Sequence, residues 1–161
     1  MPSEATHRVL IQMPIEEAWE NLRNFTLAPN YVPNLTGCDL HPGPSEGMGA
    51  SRRVFQKNGK FLDETVVRWE EGQGFVIRLH EGDKGAPAPF NNANFTYRLK
   101  RIGSTTELTT SMSYDLRGGT AGKLFDKLLM NRVFRKVVGQ IAENLKEFYE
   151  TGKPTNKTYK P

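Results

Sequence analysis

The chain is nearly without cysteine. Cys38 is the single one among 161 residues, so no intrachain disulfide can form and no cysteine metal cluster exists. Long apolar runs are missing too: none exceeds three or four residues, far short of the roughly 20 that a membrane-spanning helix needs. Histidine is scarce. His7, His41 and His80 lie far apart without ligand spacing, so the expectation is no metal and no cofactor. Cys38 has no evident histidine partner in sequence, which leaves a nucleophile reading unsupported. There is no block of five or six basic residues, so a net charge of +4 does not call for nucleic acid. The N-terminal residues lack a charged-then-apolar leader pattern, because Glu4, His7 and Arg8 interrupt it. The expected location is therefore the cytoplasm. On that footing the Asn-X-Thr triplets at Asn24, Asn34, Asn94 and Asn156 read as chance. Hydrophobic content is only 37%, which a single sheet with one solvated face would explain.

The strongest positive signal runs from Thr120 to Thr151. Leu124, Leu128, Leu129, Val133, Phe134, Val137, Val138, Ile141, Ala142, Leu145, Phe148 and Tyr149 recur at steps of three and four, which makes one apolar stripe on one helix. Gly118-Gly119 precedes the run, while Gly152 and Pro154 end it. About 32 residues at about 1.5 Å each predict a rod of roughly 48 Å. Lys123 and Lys127 near its start, with Glu147 and Glu150 near its end, oppose the helix macrodipole. That pattern reads as a solvated face, or as an attractor for an acidic ligand near the mouth of a cavity.

Ahead of this helix the pattern is mostly of strands. Thr6 to Met13 reads as the first. Ile15, Ala18, Trp19 and Leu22 follow at helical spacing, and Pro29 and Pro33 limit the next stretch to short turns. Strands are then expected at Thr36–Leu40, Ala50–Lys57, Lys60–Trp69, Phe75–His80, Ala93–Arg101 and Glu107–Asp115, with Asn58-Gly59 as a two-residue hairpin turn. Residues 81–89, with Gly82, Gly85, Pro87 and Pro89, read as a lid, an entrance loop or an ordinary connection. The architecture is α+β: a curved antiparallel sheet of about six to seven strands, two short helices after strand 1, and one long C-terminal helix across the sheet. Residues 1–151 make one domain, and the polar segment 152–161 is expected to be a disordered tail.

This order resembles the START-like superfamily, also called SRPBCC, which includes polyketide cyclases, birch-pollen-allergen-like proteins and the plant abscisic-acid receptors. Gly47-Met48-Gly49-Ala50-Ser51-Arg52 is similar to the family's entry to a strand. Leu62-Asp63-Glu64-Thr65-Val66 with Trp69-Glu70 is similar to the next strand. The resemblance covers roughly residues 6 to 151. It implies a helix-grip fold, in which the sheet grips the long helix around an apolar cavity.

The resemblance also places Arg52 facing inward, and alternation carries the choice along each strand. Val54 and Gln56 share its face; Leu62, Glu64 and Val66 are the set across the hairpin; Phe75, Ile77 and Leu79 follow, then Thr110, Met112 and Tyr114. From the helix, Phe125, Leu129, Val133 and Val137 are expected to complete the lining. Strand 93–101 is ambiguous. Phe95, Tyr97 and Leu99 are its apolar set, whereas the resemblance favours Asn92 and Asn94; the reading adopted is Asn94 inward near the loop end, and a one-residue slip would exchange the sets. Arg52 and Glu64 either hold a ligand's polar end or form a structural ion pair. Tyr31, Tyr97 and Tyr114 could donate protons or hydrogen bonds, or could simply pack.

Three functions fit. The first is binding of a small hydrophobic molecule, such as a lipid or a polyketide, between sheet and helix, by a monomer or homodimer with no integral membrane contact. The second is a cyclase or dehydratase type of enzyme in which Arg52, Glu64 or Tyr114 moves protons. The third is a protein-interaction module that uses its surface, like the co-chaperone members of the superfamily.

Overall fold

A computed structural model describes residues 2–125 and 129–161, the side chain of Phe125 excepted. Seven strands form one antiparallel sheet: β1 (Ser3–Ile11), β2 (Leu35–Leu40), β3 (Ser51–Gln56), β4 (Phe61–Glu70), β5 (Gly74–His80), β6 (Phe90–Ile102) and β7 (Thr105–Leu116). Their order across the sheet is β1-β7-β6-β5-β4-β3-β2. Each hairpin neighbour in sequence is thus a neighbour in space, and only β1 crosses over, to pair with β7.

Helix α1 (Ile15–Leu22) starts straight after Pro14, whose fixed φ suits a helix start, and buries Ala18, Trp19 and Leu22. A 3-10 turn at Ala28–Asn30 follows. Helices α2 (Gly119–Phe125) and α3 (Asn131–Thr151) close the chain's helical part. The expected single long rod is corrected here. Leu129 and Met130 lie in a wider π-type turn ahead of α3, and residues 126–128 lie outside the described residues. The long regular helix is therefore the 21 residues of α3, about 32 Å of axis. No helix among the described residues is long and apolar enough to cross a membrane.

α3 lies on β1 and β7 and buries Val138, Ile141, Ala142, Leu145 and Tyr149 against them. Thr110 Oγ1 donates to the Val138 carbonyl at 3.0 Å, and Lys146 Nζ donates to the Leu10 carbonyl at 2.7 Å. Glu150 accepts from the Gln12 backbone N–H at 2.6 Å, so this terminal acid is held by the sheet despite its place at the negative helix end. Gly139 makes the close approach possible: a Cβ there would meet His7 Nδ1 at 3.3 Å. At the far end Gly152 takes φ 72°, and its N–H caps the Phe148 carbonyl.

The segment after Gly152 is not the disordered tail that its composition suggested. Thr155 and Asn156 donate backbone N–H groups to the Asn30 carbonyl at 2.8 and 2.9 Å. The buried Asn156 side chain donates to the carbonyls of Pro29 (2.7 Å) and Leu35 (2.8 Å), and Thr155 Oγ1 donates to that of Asn144. A polar side chain is stabilising here because it satisfies carbonyls that the 3-10 turn and β2 leave unpaired. Asn156→Ala should therefore cost about 1–3 kcal/mol, the price of two buried carbonyls losing donors. A thermal melt of the full chain checks this, and an unchanged midpoint would mean the tail is not a structural clasp.

Candidate functional site

The concave face of the sheet holds a charge. Arg52 on β3 is buried, and directly opposite it on β4 stands Glu64, whose side chain is 12% exposed. Arg52 Nε donates to Glu64 Oε2 at 2.6 Å, and Nη2 reaches the same oxygen. Nη1 donates to the Phe25 carbonyl at 2.6 Å, and the guanidinium lies 4.0 Å from the centre of the Phe25 ring. Burial works against the Arg52 charge, but Glu64 and the neighbouring tyrosines outweigh it and hold the group firmly protonated.

Apolar walls surround this pair. Val54, Val66, Phe75, Ile77, Met112 and Tyr114 are all buried on the face that sequence alternation assigned to them. Phe75 stacks on Trp69 and meets Phe25 edge-on, while Tyr114 packs against Phe90 and Phe134. Thr110 is on that face too, but its hydroxyl is engaged by α3.

Two expectations are corrected. Asn94 faces the other side of the sheet, because buried Ala93, Phe95, Tyr97 and Leu99 occupy the concave side of β6 and Phe95 is in register with Ile77 and Met112. The apolar set won over the resemblance: burying three large side chains outweighs placing asparagines inside. Leu129, Val133 and Val137 do not pack into the core. They are 49%, 45% and 43% exposed, since β1 and β7 reach only the adjoining face of α3. Phe125's side chain lies outside the described residues.

Beyond those expectations the structure gathers three tyrosines at the deep end. Tyr31, from the segment after the 3-10 turn, and Tyr97, from β6, are buried with their hydroxyls close to each other and to Arg52. Tyr149, from α3, is buried beside Tyr31, with ring centroids 6.2 Å apart in an edge-on arrangement. Burial pushes all three phenols up from their ordinary value, so they stay neutral donors. Gly74 lets β5 and β6 meet beside Tyr97; a Cβ there would fall 2.0 Å from the Tyr97 carbonyl oxygen.

A second polar cluster sits on the convex face, using the residues that alternate with Arg52 and Glu64. Arg53 forks onto Asp63 at 2.8 and 3.0 Å; His41 Nε2 and the Gly82 N–H also reach the Asp63 carboxylate, each at 3.0 Å. His80 bridges the Thr65 hydroxyl and the Gly82 carbonyl, both at 2.8 Å. The histidines are thus structural anchors for the start of the 81–89 loop. Clefts elsewhere, such as those beside Pro33 and Lys57 or beside Trp19 and Arg101, are open surface features that do not touch Arg52 or Glu64.

With this geometry in hand, known families can be compared. Residues 3–150 match the model of the polyketide cyclase / dehydrase and lipid transport family. The chain belongs to that family. A START-like helix-grip fold is what the family and its structural neighbours share with the sheet and helix described above. Comparison with curated protein sequences returns no match. Among solved structures, Ara h 8.0201 is similar over 92% of this chain and 98% of its own, at 12% identity and a TM-score of 0.68. Major latex-like protein 151 from Panax ginseng is similar over 85% of this chain and 97% of its own, at 18% identity and a TM-score of 0.60. DynU16, a protein of the dynemicin biosynthetic locus, is similar over 98% of this chain but 51% of its own, at 21% identity and a TM-score of 0.60. At these identities the likeness establishes the fold, not the ligand.

Within this family fold, the two charge pairs make separable predictions. Arg52→Met should cost about 3–5 kcal/mol by leaving Glu64 unpaired on an apolar face, and adding Glu64→Leu should restore much of it. Urea unfolding of the two variants decides this; a double variant as unstable as the single would show that the pair itself is not the issue. Asp63 is held below its ordinary value of 3.8, chiefly by the Arg53 hydrogen bonds against the opposing effect of burial. A depressed carboxylate stabilises fully above that ordinary value and loses its contribution as pH falls below it. Asp63→Asn should therefore cost about 2 kcal/mol at neutral pH and flatten the acid limb of a melting-temperature profile.

Proposed function

We propose that the protein binds a small hydrophobic molecule between the concave face of the sheet and α3. The observation that carries this reading is the uncovered apolar row on α3. Val133 and Val137, with Leu129 ahead of them, are close to half exposed, next to Phe134 on the rim of the concave face. Isolated exposed apolar residues need no explanation, but a row at helical spacing does. On this reading the row is the mouth, the apolar strand residues are the walls, and Arg52, Glu64 and the tyrosines are the polar floor. Binding draws on apolar burial at about 25 cal/mol per Å², and the floor sets orientation. A proton-moving role for Glu64 would first have to break its two contacts with Arg52, which favours binding over catalysis.

Native mass spectrometry of protein purified gently from its own host tests the reading. The expected result is extra mass that organic solvent releases as an apolar small molecule. Val137→Lys should abolish that mass while changing stability by less than about 0.5 kcal/mol, because the site is exposed. A clean mass for the unaltered chain, with no thermal stabilisation by a broad lipid and polyketide panel, would overturn it.

A further inference from the structure

The first half of α3 carries charge where a helix least accommodates it. The first turn has no acidic residue, and Arg132, Arg135 and Lys136 crowd the positive end of the helix. Between Arg117 and Ala142 the sequence holds six cations and one carboxylate, Asp126. Arg132, Arg135 and Lys136 are exposed, and none of them forms an ion pair among the described residues. The macrodipole opposes these charges and no carboxylate answers them, so stability does not account for the pattern.

Apolar side chains share this half of the helix. Leu129, Val133 and Val137 recur at steps of four and are 49%, 45% and 43% exposed. Arg132 and Lys136 recur at the same step, one position before Val133 and Val137, so a basic row runs alongside the apolar one. Both rows end by Gln140. Beyond it the outward residues Glu143 and Glu147 reverse the sign.

Whatever covers such a face must be apolar and anionic at once. A neutral apolar molecule leaves the cations unanswered, and a purely polar anion leaves the valines in water. The interface of an anionic bilayer supplies both, acyl chains for the apolar row and headgroup charge for the basic row. A basic amphipathic helix of this kind lies on a membrane rather than across it, and no helix among the described residues is long and apolar enough to cross one.

We infer that the first half of α3 docks on an anionic lipid surface, with Leu129, Val133 and Val137 entering the headgroup boundary and Arg132 and Lys136 meeting the lipid charges. The acidic end of α3 tilts away from that surface. Docking goes beyond the hydrophobic-ligand reading and does not depend on it, since it uses only the outside of the helix. Where both hold, the apolar mouth opens onto lipid.

Flotation of the lipid-free full chain tests this with two kinds of vesicle: phosphatidylcholine alone, and phosphatidylcholine with about one third phosphatidylglycerol. The chain should float with the anionic vesicles at low salt, and neither with the neutral ones nor at high salt. Arg132→Gln with Lys136→Gln should weaken binding about 25-fold, at about fivefold for each cation near such a surface. Val133→Ser with Val137→Ser should abolish flotation. All four sites are exposed, so both double variants should melt as the unaltered chain does. Lys57→Gln with Lys60→Gln removes the same charge from the β3–β4 turn, toward the other edge of the sheet, and should change nothing.

No flotation with anionic vesicles, equal flotation with neutral ones, or equal weakening by the Lys57 and Lys60 control would overturn the inference. Polyglutamate that displaces the vesicles and binds the valine variant as tightly as the unaltered chain would overturn it in favour of an acidic macromolecule. A lipid-free dimer that the valine variant dissolves would overturn it in favour of a second copy. Vesicle docking without any released ligand mass would overturn only the ligand reading, and ligand mass without docking only this one.

Discussion

A guanidinium on an apolar face is the constraint around which this molecule is arranged. Arg52 cannot be buried alone, so β4 must bring Glu64 directly opposite, and the stretch after α1 must bring the Phe25 carbonyl and ring over it. Those requirements tie three separate pieces of chain to one point. The same stretch then carries Tyr31 onto the tyrosine cluster, and the tail holds it there through Asn30 and Pro29. The C-terminal residues thus clasp the segment that covers the charge, which links the tail to the site without touching it.

The β3–β4 hairpin is specified twice over. Arg52 faces Glu64 on the concave side, and the next pair along, Arg53 and Asp63, faces out. A slip of one residue would turn one strand over relative to the other and leave either Arg53 or Asp63 on the apolar face without its partner. A slip of two would set each arginine opposite a residue without charge. Two adjacent ion pairs on opposite faces therefore act as a register lock, reinforced by the Asn58-Gly59 turn with Gly59 at φ 83°. The outer pair also anchors the 81–89 loop through Gly82, so one hairpin orders both the floor of the site and a loop at its edge.

Element order was readable because each signal was local. Alternation, the Asn-Gly turn and the Ile15–Leu22 spacing each involve a few neighbouring residues, and the structure has strands and helix where they predict them. The inward set of β3, β4, β5 and β7 followed from one choice for Arg52. β6 failed because its two faces offered rival sets, apolar on one side and asparagines on the other, and the decision lay with β5 and β7 across it. The tail failed because composition does not reveal that Asn156 has two unpaired carbonyls waiting for it. Tyr31 and Tyr97 stood out as polar aromatics, but Tyr149 looked like one more member of a helical stripe. Only the packing of α3 against the Tyr31 segment turns it into part of the site.

That same packing explains why α3 leaves Val133 and Val137 of its apolar stripe bare. A helix lying on β1 and β7 can bury only the side that faces them, and Asn144 and Phe148 use the next flank to hold Tyr31 at one end. Toward the other end the same flank carries Val133 and Val137, with no comparable partner among the described contacts. Were the stripe there only for the core, it could be polar at these two positions at little cost to the fold. Its width is what a helix needs when it must serve the sheet on one face and something apolar on the next.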